Sequence, residues 1–211
     1  MQQELGYEEP RFAKWLFNAP AAGLIWLVVR IYFGYTWLHA GWEKVTGTTA
    51  AAGENATWAW HWGYTTDSWL RSSAPLQGFA AYSLKNAGVP HAAVNYGWYA
   101  SFLNWLSHPG PAAVFSKVIA LGELTIGFCL IIGLFTGIAA FFAGFLTVSF
   151  GLAGVAGVNP MFFLAEVLLI LAWRNAGYYG VDRWVLPALG TPWHKGKAFQ
   201  PEEGTAQHQL A

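Results

Sequence analysis

Charge is scarce in this chain: 10% of its 211 residues are Asp, Glu, Lys or Arg, where a soluble domain carries about 25%. What charge there is balances, and no basic run occurs of the kind that binds a polyanion, so nucleic acid is excluded as a partner. Cysteine is rarer still. Cys129 has no second thiol to pair with, which excludes an intramolecular disulfide, dithiol redox chemistry and iron–sulfur ligation. Lying within an apolar stretch, it is read as a small packing residue. His39, His61, His91 and His108 show no paired spacing within a span, so haem ligation is not indicated, and no cofactor or metal signature is evident. A cleavable leader is not expected either. The first apolar stretch is too long for one, is interrupted by Arg30 and lacks a small-residue cleavage site.

What remains is apolar and aromatic. Hydrophobic residues make up 55% of the chain, aromatics 18%, and the mean hydropathy is +0.34. Four apolar stretches stand out, at 20–42, 112–133, 137–158 and 161–173, the last able to run on to 176. Their lengths predict an all-α fold, a four-helix transmembrane bundle whose solvent is the lipid bilayer. Pro20 belongs in the first turn of the first span, where its missing N–H costs nothing. The membrane domain covers 20–185, between a polar N-terminal segment at 1–19 and a tail at 186–211, polar and expected to be disordered from Gly196 onward. Arg11 and Lys14 share one side with Arg174, Arg183, Lys195 and Lys197, whereas the short connections at 134–136 and 159–160 are uncharged. The positive-inside rule then makes both termini cytoplasmic in the plasma membrane.

The connection between spans one and two, about 43–111, is therefore a long extracytoplasmic loop. Its many tryptophans and tyrosines predict short interfacial helices. Within 90–107, Val94, Trp98, Phe102 and Trp105 recur at helical spacing. In the third span Gly137, Ala140, Gly144, Thr147, Gly151, Gly154 and Val158 alternate at three and four residues, a small-residue face on which neighbouring helices pack closely.

Against this background Arg30, Glu123 and Glu166 are conspicuous, each in the middle of a span. A charge at mid-bilayer costs roughly 2.5–3.5 kcal/mol, so these groups are expected to face one another. Counted from the span ends, Arg30 and Glu123 fall at equal depth, which predicts an Arg30–Glu123 ion pair. One arginine cannot neutralise two carboxylates, so Glu123 is expected to be charged and Glu166 to hold a proton. Arg30 shares its helix face with Gly34, Trp37, Gly41 and Lys44, and Glu166 shares one with Asn159. His39 and Glu43, one turn apart on the other face, would form a proton exit, and Lys44 with Arg71 would attract an anion. Such a centre suits catalysis that moves protons, with Arg30, Glu123 and Glu166 as its residues. It equally suits a static internal bridge. A transporter is disfavoured, because neither broken spans nor an internal repeat is evident.

At these positions the chain resembles the DoxX family of membrane proteins. Arg30-Ile-Tyr-Phe-Gly34 through Gly41-Trp-Glu-Lys44 is similar to the family's first span, and Gly122-Glu123 with Gly127 and Ile131-Ile-Gly-Leu-Phe-Thr136 to its glutamate-bearing span and turn. Asn175-Ala-Gly177-Tyr-Tyr-Gly-Val-Asp182 resembles its ending, and Ala74-Pro-Leu-Gln-Gly78 in the long loop is similar to the larger, DoxD-like members. The resemblance covers about 20–185. It implies a membrane subunit of a redox system that oxidises thiosulfate to tetrathionate, passes the electrons to membrane quinone as co-substrate, and works with a smaller redox subunit. The alternative it leaves open is a non-catalytic scaffold that recruits a redox enzyme or stabilises a respiratory or oxidative-stress complex.

Overall fold

The computed structural model describes residues 10–47, 66–85, 94–155 and 159–190. Every regular element among them is helical: α1 (Arg11–Asn18), a 3-10 turn (Pro20–Ala22), α2 (Gly23–Thr46), α3 (Ala74–Leu84), α4 (Gly97–Leu106), α5 (Pro109–Ile132), α6 (Thr136–Leu152), α7 (Asn159–Leu171) and α8 (Asp182–Ala188). The helices α2, α5, α6 and α7 pack around a core of Trp26, Trp37, Ile126, Leu130, Ala140, Ala143, Leu169 and Ala172. Contacts run α2–α5, α5–α6, α6–α7 and back from α7 to α2, closing a ring of four.

Two of the four, α2 with its preceding turn and α5, are long and apolar enough to cross a membrane. The other two are shorter apolar helices, 17 residues in α6 and 13 in α7. At 1.5 Å per residue α7 alone reaches about 20 Å, less than a hydrocarbon core of about 30 Å. Turns through 172–179 carry its path onward.

Glycine sets the spacing of the tightest pair. A methyl group at Gly41 would lie 2.5 Å from the Leu124 backbone nitrogen, one at Gly34 3.0 Å from that of Ile131, and one at Gly127 would overlap the backbone of Leu38. Backbone therefore meets backbone along α2 and α5, the close approach that small residues permit in lipid. On α6 the small-residue face holds over its first three turns: Gly137 faces Trp173, Gly144 faces Glu166, and Ala140 and Thr147 are buried. It lapses beyond Thr147, because Gly151 faces open space and the helix ends at Leu152, with Gly154 at a positive φ of 90°. Val158 lies outside the described residues.

Further helices form outside the four of the bundle. Part of the polar N-terminal segment is the amphipathic helix α1, whose Leu16 and Phe17 pack on the core while Phe12 and Trp15 point outward. The boundary placed at 186 falls inside α8, which starts at Asp182. In the loop the helix α4 forms with Trp98, Phe102 and Trp105 on its exposed face. The face of α4 that packs is Tyr99, Leu103 and Leu106, against Leu76, Val94 and Ala153. The three-and-four spacing was shared by both faces, and the outward one is the more aromatic. The Tyr99 hydroxyl donates to the Ser149 carbonyl at 2.6 Å, tying α4 to α6, and burial pushes this phenol's pKa up.

The glycine contacts make a direct prediction. Gly127→Ala is expected to destabilise the protein by about 1–3 kcal/mol through overpacking. Gly151→Ala, with nothing to meet, should leave thermal unfolding in detergent unchanged or slightly raised.

Candidate functional site

The bundle holds two polar centres. The first lies at the end where α5 turns into α6. Arg30, 1% exposed, donates from Nη1 to the Leu130 and Ile131 carbonyls at 3.0 and 3.1 Å and from Nη2 to the Tyr179 carbonyl at 2.8 Å. A cation thus sits on the last carbonyls of α5, the negative end of the helix dipole. Asp182 is its counterpart, accepting from the Phe135 and Thr136 amides at 2.6 and 2.9 Å at the positive end of α6. That grip holds Phe135 at φ 47°, a left-handed conformation costly for a bulky residue. Gly133, also left-handed at φ 68°, leaves no room for a Cβ against the Arg30 guanidinium.

The second centre lies further along α2. Lys44 Nζ and Glu123 Oε2 form an ion pair at 2.6 Å, with the Lys44 ammonium 5.5 Å from the Trp69 ring and 5.8 Å from that of Phe150. The loop above is fastened to the end of α2: the Trp69 amide donates to the Lys44 carbonyl at 2.9 Å and the Ser68 hydroxyl to that of Val45 at 2.6 Å. Below the pair is a cleft of about 190 Å³ lined by Thr36, Trp37, Ala40, Lys44, Glu123, Thr147, Phe150, Asn159 and Phe162. Two of its lining residues reach Glu166, whose Oε1 accepts from Trp37 Nε1 at 3.1 Å and from the Thr147 hydroxyl at 2.9 Å. Glu123 Oε1 and Glu166 Oε2 are buried without a hydrogen-bond partner.

The expected Arg30–Glu123 pair does not form. Gly41 lies against Glu123 and Leu124, which puts Glu123 level with a residue eleven positions beyond Arg30, about 16 Å along the axis. Counting from span ends fails because the helices do not end in one plane. The α5–α6 turn is inset, and the segment from Asn175 to Asp182 passes beneath it, with Val181 and Asp182 amides on the Ile132 and Gly133 carbonyls. Lys44 takes the place assigned to Arg30, and Glu166 is joined to the Lys44–Glu123 centre through the cleft wall rather than to Arg30.

Of the remaining predicted residues, Asn159 lines the cleft and donates to the Val155 carbonyl. His39 is buried with Nδ1 3.6 Å from Glu43 Oε1. Arg71 lies in the loop after Trp69, its amide on the Ser68 carbonyl, and is not among the cleft's lining. Thr147, read only as a packing residue, is a ligand of Glu166, and Asp182, quoted only as part of a motif, anchors the first centre. Three larger cavities are present among the described residues: about 410 Å³ beside α8 and about 510 Å³ between α5 and α6, both apolar, and about 280 Å³ between α6 and α7, which shares Thr147 and Asn159 with the cleft. Among the described residues no cluster of His, Cys, Asp or Glu is placed to hold a metal. No family model matches this chain, and no curated protein or solved structure matches it.

Removing one partner of the ion pair strands a buried charge. Lys44→Met is expected to cost about 3–5 kcal/mol, and adding Glu123→Gln should recover most of it. Unfolding of the two single variants and the double variant checks this.

Proposed function

We propose that this chain is a four-span protein of the plasma membrane, both termini cytoplasmic, that serves as the membrane subunit of a redox system. Its site is the cleft of Lys44, Glu123 and Glu166, and its co-substrate is membrane quinone. One observation carries this reading: the Lys44–Glu123 ion pair, with one unpartnered Glu123 oxygen, lines a small cleft walled by Trp37, Phe150 and Phe162, and Glu166 stands directly behind that wall on Trp37 and Thr147. Binding pockets for drug-sized ligands run to about 300–1,000 Å³, so a cleft of this size suits a single ring or a small anion.

The resemblance to the DoxX family supplies the electron source, thiosulfate or a related sulfur anion. Joining two thiosulfates through a sulfur–sulfur bond releases two electrons, and quinone takes up two electrons with two protons. Such a site needs a cation to attract the anion and acids to deliver protons. Lys44 is the cation, and Glu123 and Glu166 are the proton carriers. Arg30 is assigned to the fold instead of the chemistry, since both its Nη groups are spent on carbonyls. That observation favours the second reading, a scaffold whose buried charges only lock the bundle, as far as Arg30 is concerned.

The test is thiosulfate-dependent reduction of a short-chain ubiquinone by purified protein in nanodiscs. Glu166→Gln keeps the shape and removes the proton, and is expected to lower the rate about 100-fold or more with unfolding unchanged. No turnover in the wild type, with a soluble redox protein co-purifying, would replace the catalytic reading with the scaffold. Topology is checked separately in a Cys129→Ser background. Tyr82→Cys, on an exposed position of α3, should react with an impermeant thiol reagent in intact cells. Lys14→Cys should react only after permeabilisation.

A further inference from the structure

We propose that the cleft is entered sideways from the hydrocarbon, between α2 and α7, with the Phe162 ring as its door. The ligand it admits is a tailed, single-ring carrier whose tail stays in lipid. This rests on the quinone reading and adds a route and a substrate class to it.

The four seams of the bundle differ in what closes them. Between α2 and α5 it is backbone against backbone at Gly34, Gly41 and Gly127, and no rotation of a side chain can part it. Between α6 and the chain after α7 a methyl at Gly137 would lie 2.7 Å from Trp173 Cβ, while beside the cleft the α6–α7 seam holds a cavity of about 280 Å³ that shares Thr147 and Asn159 with it. The α5–α6 seam holds the apolar cavity of about 510 Å³ lined by Ile126 and Ala139, which shares no lining residue with the cleft. The α2–α7 seam beside the cleft is closed by the far ends of side chains: Phe162 edge-on to Phe33 at 4.9 Å and to Trp37 at 6.4 Å, with the Trp37–Glu166 hydrogen bond.

Phe162 belongs to that seam and to the cleft wall at once, and it is half-buried. Across from it on α2 stand Thr36 and Ala40, both cleft-lining, and Ala40 leaves the opposite jamb small. Turning the Phe162 ring away therefore opens the cleft without separating helices. Its partners Phe33 and Trp37 flank the middle of α2, so the opening lies at the depth of lipid tails. From the loop side the way is crowded, by Trp69 and Phe150 about the Lys44 ammonium. A volume of about 190 Å³ holds a ring and leaves no place for a chain, which trails out through the seam.

The experiment follows association of a ubiquinone bearing two isoprene units, in nanodiscs, by quenching of tryptophan fluorescence. Ala40→Phe, which narrows the opening, is expected to slow association roughly tenfold, and Phe162→Ala to speed it severalfold. Changes in opposite directions cannot come from misfolding. If the wild type binds and neither variant alters the rate, or both slow it alike, the side entrance is wrong while the quinone site stands. If the wild type binds no quinone, the site reading and the entrance fall together.

Discussion

At Gly34, Gly41 and Gly127 the backbones of α2 and α5 meet with no side chains between them, and both polar centres are set by that contact. Packed helices usually stand 8–10 Å apart, depending on the side chains at the contact, and glycine allows the near limit or closer. Close approach lets Lys44 reach Glu123 near one end of the pair and Arg30 reach the last carbonyls of α5 near the other. Widening the pair by one methyl would pull at both. The glycines are thus as much a part of the polar chemistry as the charges are.

The two centres do different work with the same kind of residue. Arg30 and Asp182 answer a problem of the backbone: a helix that ends inside the protein leaves carbonyls without partners, and the next helix begins with amides in the same state. A guanidinium on the first and a carboxylate on the second satisfy both, and they fix a turn that includes a left-handed phenylalanine. At the other centre satisfaction is incomplete. One oxygen on each of Glu123 and Glu166 lacks a partner; Glu123 lines the cleft, and Glu166 lies behind its Trp37 and Thr147 wall. Fully satisfied networks rigidify a core, whereas unspent acceptors beside a cavity are available to a ligand.

How much of this could be read from residues alone follows the same division. The apolar stretches and their order were legible, because 3.6-residue periodicity and length are properties of each segment by itself. So was the small face of α6 up to Thr147. The special status of Arg30, Glu123 and Glu166 was legible too, since a charge within an apolar run needs a partner whatever the fold. Which partner was not. That depends on where each helix begins along the bundle axis, and the inset turn at Gly133 shifted α5 against α2 by several turns relative to a count from its ends. Lys44 was visible on the right face, yet at the edge of its span it was matched with Arg71 as an attractor of anions instead of with Glu123. The aromatic spacing in the loop identified a helix, and only the neighbours decide which of its faces they cover.

This bears on how a buried charge should be tested. Arg30→Leu looks like the natural probe of a buried charge, since Arg30 is the largest fully buried side chain among the described residues. Its removal, however, leaves the Leu130, Ile131 and Tyr179 carbonyls without their donors and Asp182 without its nearby cation, so folding and activity would be lost together. Loss of function in that variant would be equally consistent with catalysis and with scaffolding. Glu166 offers the cleaner separation. Glutamine at that position can still accept from Trp37 and Thr147 through its carbonyl oxygen, and it differs from glutamic acid chiefly in being unable to exchange the proton. A redox subunit needs that proton, and a scaffold does not.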